Sequence, residues 1–169
     1  MRLEPLCRVT MRYEESSWHR PYRRDSDRGR EALGFGRGTG TVTGDVLRGQ
    51  LVWANYPRRR EDGVWTPNLR GFIRTDASAE ILLSIHGQSI DEDSAQPRRS
   101  ILARLEFTTE DPTFAWLNTC FMVGEGEINE DTEQWWLEVF ICVNDQVAHR
   151  PAIGAEPPAR FRQGPRPER

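Results

Sequence analysis

Residues 69–88 read LRGFIRTDASAEILLSIHGQ, and this stretch decides the fold. Apolar and polar side chains alternate over 69–75, and Ile81, Leu83 and Ile85 repeat at every second position after it. That period of two belongs to an extended strand with different faces, not to a helix. Between the two runs lies Asp76-Ala77-Ser78-Ala79, a short polar segment with turn chemistry. The stretch is therefore predicted to be an antiparallel hairpin, with strands at 69–75 and 80–88.

Working outward, the same alternation predicts strands at 6–13, 41–55, 101–107, 114–123 and 134–143. Turn signals separate them: GFGRGTG at 34–40, Asp62-Gly63, the acidic segment 91–97 and the acidic loop 125–133. No stretch sustains a helical period, and there is no room for crossover helices. The expected class is all-β, a single antiparallel β-barrel of about eight strands, with a sandwich as the alternative. The barrel domain is placed at 1–150, with a flexible Arg-rich loop at 16–33. Proline and arginine dominate 151–169, which is expected to be a disordered tail.

All 23 basic residues are arginine. They concentrate at the ends, and the body over 63–149 has 5 arginines against 15 acidic residues. A body of that sign argues against a general polyanion binder. Arginines do interleave with aromatics at Trp18, Arg20, Tyr22, Arg23 and Arg24, and again from Trp53 to Trp65. A single-stranded nucleic-acid platform is kept as a minor alternative on that ground. Cys7, Cys120 and Cys142 are odd in number and have no CxxC spacing, so they read as reduced thiols. The first residues lack an apolar signal core and no run of 18 apolar residues occurs, so a cytoplasmic protein without a membrane span is expected.

Strand parity divides the side chains into two sets. One is almost wholly apolar and includes Ile81, Leu83, Ile85, Ile101, Leu105, Trp135, Leu137 and Val139. The other mixes Arg70, Phe72, His86, Arg104, Trp116, Asn118, Met122, Trp136, Glu138 and Phe140. The mixed set is rich in aromatics for a bare exterior. It can line a ligand cavity, form an outer wall covered by a subunit or by the N-terminal segment, or face solvent; both sets are apolar enough to fill an interior. In the cavity case Glu138 and His86 would move a proton and Arg70 would hold an anionic oxygen. A lumen packed solid with side chains would exclude that case.

No metal site is expected, because His19, His86 and His149 are scattered and 125–133 lacks the spacing of a calcium loop. The glycines at 34–40 lack the Lys-Ser/Thr pair and the helix of a phosphate loop. No cofactor is expected.

Several pieces in fixed order carry a family resemblance: Gly36-Arg37-Gly38-Thr39-Gly40, Ala54-Asn55-Tyr56-Pro57, Ile73-Arg74-Thr75-Asp76, His86-Gly87, Phe114-Ala115-Trp116-Leu117-Asn118 and Val123-Gly124-Glu125-Gly126. Together they resemble the bacterial small barrels known as domain of unknown function 3237, over residues 34–143. Asn55-Tyr56 stands where the family usually has Asp-Trp, and Ala77-Ser78-Ala79 where it has Asp-Gly-Ala. The resemblance implies a barrel without an established activity. More distantly the chain resembles the allene-oxide-cyclase type of barrel, which implies cofactor-free cyclisation in an apolar lumen; that is an analogy of fold. The expected function is binding of a small apolar or aromatic metabolite, with cyclase or isomerase chemistry as its catalytic form. Asn55, Tyr56, Phe72, Trp116, Asn118, Trp136 and Phe140 are the expected ligand contacts. The competing expectation is a non-catalytic module that forms homo-oligomers.

Overall fold

The computed structural model describes residues 1–20, 31–91 and 98–144. In chain order its strands are β1 (Arg2–His19), β2 (Ala32–Thr43), β3 (Gly49–Asn55), β4 (Arg58–Arg59), β5 (Trp65–Thr66), β6 (Asn68–Thr75), β7 (Glu80–Asp91), β8 (Arg98–Thr108), β9 (Met122–Asn129) and β10 (Gln134–Val143). The eight long strands pair antiparallel in the closed order β1-β10-β9-β8-β7-β6-β3-β2, and β2 returns to β1. Closure removes free sheet edges. The short strands β4 and β5 bridge β2 to β7 beyond the turn between β3 and β6, which lengthens the wall at one end.

The expected hairpin forms as β6–β7, with Ile73 opposite Ile81 and Leu69 opposite Ile85. Ser78 takes a left-handed φ of 65° in its turn, and Thr75 Oγ1 accepts a hydrogen bond from the Ala79 N–H at 3.0 Å. The almost wholly apolar set points inward. Val9, Met11, Leu51, Leu69, Ile73, Ile81, Leu83, Ile85, Leu105 and Leu137 are all buried in one cluster. Each such side chain contributes about 1.5–3 kcal/mol on burial, which makes this inward face the main stabilising element.

The mixed-set residues on β6, β7, β8 and β10 point outward and do not line an interior, whereas Met122 on β9 is buried in the core cluster. The excess of aromatics on the outward face has a local cause: arginines lie over the exposed rings. Arg8 sits 4.4 Å from the Trp136 centroid, Arg104 5.4 Å from Phe121 and Arg74 5.8 Å from Phe72. The guanidinium groups lie over these rings and remain partly in water.

Five segments depart from the sequence expectation. Residues 34–40, expected as a turn, lie inside β2, where Gly36, Gly38 and Gly40 pair with both β1 and β3, and the expected strand at 41–55 is interrupted at 44–48 between β2 and β3. Residues 115–119 form a short 3-10 helix (Ala115–Thr119) instead of a strand, so Trp116 and Leu117 are both buried. Asn118 holds the helix to the end of β8, accepting from the Thr109 N–H and donating to the Thr109 carbonyl, each at 2.9 Å. The acidic segment after it is mostly strand, because β9 runs to Asn129 with Gly124, Gly126 and Ile128 on its inward face. At the other end, residues 16–19 and 32–33 of the expected loop continue β1 and β2 as a paired ribbon. The remainder of that loop at 21–30, and the expected tail at 151–169, lie outside the described residues.

β1 carries two register shifts, at Pro5/Cys7 and at Tyr13/Glu15. A bulge inserts one unpaired residue and switches the parity of all that follows. Leu6 and Cys7 are therefore both buried. The second bulge brings Tyr13, then Ser16 and Trp18, to one cavity. All three cysteines are unpaired thiols, and burial, with a smaller contribution from Glu138, pushes Cys7 up to about 12.

Candidate functional site

The two ends of the barrel differ. The 3-10 helix and Leu117 plug one. The middle is filled by the aliphatic cluster, which leaves no central channel among the described residues. At the other end the inward positions change character to Tyr13, Trp53, Asn55, Trp65, Ser89, Arg99 and Trp135. Here a cavity of about 430 Å³ opens, within the size range of small-molecule sites. Its walls are Tyr13, Trp18, Arg59, Trp65, Arg99 and Ile128, with Glu130 and Glu133 among its lining. A narrow recess continues from it to Asn55, Ser89 and Trp135.

The floor is aromatic. Trp53 meets Tyr13 edge-on at 4.7 Å and Trp135 edge-on at 5.4 Å, while Tyr13 stacks on Trp135 at 5.7 Å. Trp53 donates its indole N–H to the Thr39 carbonyl at 3.0 Å, so this ring is anchored. Tyr13 is anchored by a polar relay. The Asn68 N–H donates to Asn55 Oδ1, and Asn55 Nδ2 donates to Tyr13 Oη, both at 2.9 Å. Asn55 is only 2% exposed and its amide is orientated by both bonds. Because Tyr13 Oη accepts from Asn55, its own proton is free to point to another acceptor. Burial pushes the Tyr13 phenol above its ordinary value, against the Asn55 bond and the charge of Arg99, while Glu133 adds to the rise. At neutral pH the group is an O–H donor.

Two arginines flank Trp65: the Arg99 guanidinium is 4.4 Å from the ring centroid and that of Arg59 5.1 Å. Trp18 meets the same ring edge-on at 4.9 Å. Burial pulls Arg99 below its ordinary value, with Glu130, Asp91 and Tyr13 opposing and Arg59 adding; a guanidinium remains charged regardless. Arg99 Nε is 3.0 Å from Glu130 Oε1, near enough for ion pairing but off-line for a hydrogen bond. Five buried atoms have no protein hydrogen-bond partner among the described residues: Arg59 Nε, Trp65 Nε1, Ser89 Oγ, Arg99 Nε and Trp135 Nε1. All five belong to residues that line this cavity or its recess. Among the described residues no cluster of three or more His, Cys, Asp and Glu side chains is placed to hold a metal.

Of the residues expected from sequence, only Asn55 lies here. Tyr56 is exposed and tilts against Phe35 at 5.5 Å. Arg70 and His86 are exposed on β6 and β7, and Glu138 faces outward on β10, paired with Arg8 at 2.5 Å. Arg70 instead contacts Ser84. Two strands, β8 and β9, separate β7 from β10, so the structure does not bring this trio together. Phe72 and Trp136 lie under outer arginines, and Phe140 lines a shallow outer groove with Leu3, Leu102 and Val123. Trp116 and Asn118 are at the plugged end. The proposed nucleic-acid platform is divided, since Trp53 is buried in the floor; Tyr22, Arg23 and Arg24 lie outside the described residues.

Sequence reasoning missed Tyr13, Trp18, Arg59, Trp65, Ser89, Arg99 and Trp135 as one site. A signal existed. Arg99 shares the parity of Ile101, Ala103, Leu105 and Phe107, and a charged residue on an apolar face marks the place where that face stops being core.

The molecule thus belongs to the class of small closed antiparallel barrels, with one end plugged and the other open onto an aromatic, arginine-lined cavity. More particularly, the chain belongs to the DUF3237 family of proteins of unknown function, whose model matches residues 1–143. Three solved structures have a similar fold. A β-barrel-like protein of Acinetobacter baumannii AYE is 19% identical, with 83% of this chain and 94% of that chain covered at a TM-score of 0.69. A conserved protein of unknown function from Rhodopseudomonas palustris is 16% identical, covering 85% and 99% at 0.70. An enzyme from Penicillium herquei is 17% identical, covering 83% and 92% at 0.62. At these identities the likeness is one of fold. No curated protein matches the sequence significantly. No helix among the described residues is long and apolar enough to cross a membrane.

Proposed function

We propose that this protein binds a small, largely aromatic molecule at the open end of the barrel and acts on it without a cofactor, as a cyclase or isomerase. The observation that carries this reading is that the residues lining one aromatic-walled cavity and its recess hold five buried polar atoms without a hydrogen bond from the described residues. A buried donor left without a partner costs about 1–3 kcal/mol, so partners from outside the chain are needed, either solvent or a ligand that displaces it. Walls of Trp and Tyr hold a flat apolar body, and the donors set its orientation.

For the chemistry, Tyr13 supplies an O–H at neutral pH and Arg99 a fixed positive charge beside it. A phenol beside a guanidinium can protonate one oxygen and stabilise negative charge that develops nearby. The rigid floor would hold a flexible substrate in a reactive shape. That a similarly folded chain from Penicillium herquei is an enzyme supports the catalytic form of the proposal.

Thermal denaturation with a panel of aromatic and polyketide-like compounds tests the binding step. A compound present at 100 times its Kd adds about 2.7 kcal/mol, which raises the Tm by roughly 5–10 °C in a chain of this size. Stabilisation is expected from aromatic members that carry oxygen acceptors. A panel in which no member shifts the Tm would contradict the proposal.

A further inference from the structure

We infer that the molecule received at this end is an organic anion: a planar aromatic body with a delocalised carboxylate-type oxyanion that docks among Arg59, Arg99 and Tyr13. This rests on the binding reading above and adds the charge of the ligand to it.

The five partnerless atoms are all donors, and four of them cannot accept at all: two guanidinium Nε–H and two indole N–H groups. The fifth, Ser89 Oγ, can do either. The Tyr13 proton adds a sixth donor, because Asn55 occupies the acceptor side of that oxygen. A ligand that meets these donors must be rich in acceptors, which describes a carboxylate better than an amide or an amine.

Charge points the same way in sum: Arg20, Arg59 and Arg99 line the cavity against Glu130 and Glu133. Arg99 is buried, and its nearest carboxylate, Glu130, reaches it off-line from a half-exposed position. Among the described residues, the carboxylate paired with Arg59 is a distant one, Asp91 Oδ2 at 4.0 Å. Both guanidinium groups lie beside Trp65, which fixes them without consuming their N–H edges. Planar cations with free edges are the usual recognition device for carboxylates. The aromatic body then lies against Trp18, Trp65 and Tyr13, and Ile128 closes the apolar wall.

Isothermal titration with matched pairs tests the charge directly: 2-naphthoate against 2-naphthamide, and cinnamate against cinnamamide. Each pair shares one ring system and differs in the head group. The carboxylate is expected to bind about ten-fold more tightly or better than its amide. Arg99→Gln should reduce that preference to about three-fold or less, and Arg59→Gln should do so in part. Glu130→Gln removes a competing carboxylate and should tighten the carboxylate alone. If Arg99→Gln does not fold, Arg59→Gln and Glu130→Gln carry the test. Equal affinity for acid and amide, or equal weakening of both in the arginine variants, would overturn the anion inference and leave the binding reading standing. Failure of every probe to bind would overturn both.

Discussion

Replacing Trp135 with alanine should destabilise the barrel by about 3–5 kcal/mol, the usual cost of deleting a large buried aromatic. Trp135 is 1% exposed and contacts both Trp53 and Tyr13 in the floor of the cavity. In a chain of this length that loss lowers the Tm by roughly 10 °C. Chemical denaturation of the wild type and Trp135→Ala measures it. Trp135→Phe separates two roles, since it keeps most of the packing but removes the indole N–H. It should cost far less stability than alanine while changing the recess beneath the cavity. A loss under about 1 kcal/mol for Trp135→Ala would mean that the floor is not packed as described.

Gly126→Ala should cost about 3 kcal/mol or more, although it adds a single carbon. A Cβ there would fall on the Trp136 carbonyl oxygen and against the Leu137 Cα across the β9–β10 ladder. Those are backbone atoms of a closed barrel, and they cannot move without breaking register. Gly124, two residues earlier on the same strand, supplies the control. A Cβ at Gly124 would meet Leu105 Cδ1 at 2.8 Å, and that methyl can rotate away. Gly124→Ala should therefore cost less than half as much. Equal costs in denaturation would show that side-chain crowding, and not the strand approach, sets the penalty at both positions.

The barrel was legible because its signal is local. The 69–88 hairpin, the inward run Ile81-Leu83-Ile85 and the run Trp135-Leu137-Val139 follow from alternation alone. Which face points inward was not legible, because the outer face carries rings that arginines cover. Stacking between Arg8 and Trp136 depends on β1 lying beside β10, a contact between the two ends of the chain. Residues 114–123 alternate like a strand, yet Ala115–Thr119 form a 3-10 helix that buries Trp116 and Leu117 at the barrel end, and β9 begins only at Met122. A pattern of apolar residues cannot distinguish a strand from a short buried turn.

The site was less legible than the fold, for a related reason. Its residues come from every strand except β6, and they form no sequence motif. The bulge at Tyr13/Glu15 breaks the parity on which the assignment of faces relies, so Trp18 shares a cavity with Tyr13 despite an odd separation. Asn55 is expected from the sequence as a ligand contact; its place is behind Tyr13, where it orientates the phenol. Arg70, His86 and Glu138 were grouped by parity, which puts them on one face of the sheet; curvature then spreads that face around the outside of a cylinder.

The central claim is that the open end of the barrel receives the ligand. The six tryptophans, at 18, 53, 65, 116, 135 and 136, sample the open end, the floor, the plug and the outer wall. A titration with 2-naphthoate, followed through the six indole N–H resonances in a proton–nitrogen correlation spectrum, tests the claim most directly. The Trp65 and Trp135 indole signals should move with a common saturation curve while those of Trp116 and Trp136 stay in place. Movement of the Trp136 signal with Trp65 and Trp135 unchanged would place the ligand on the outer wall and contradict it.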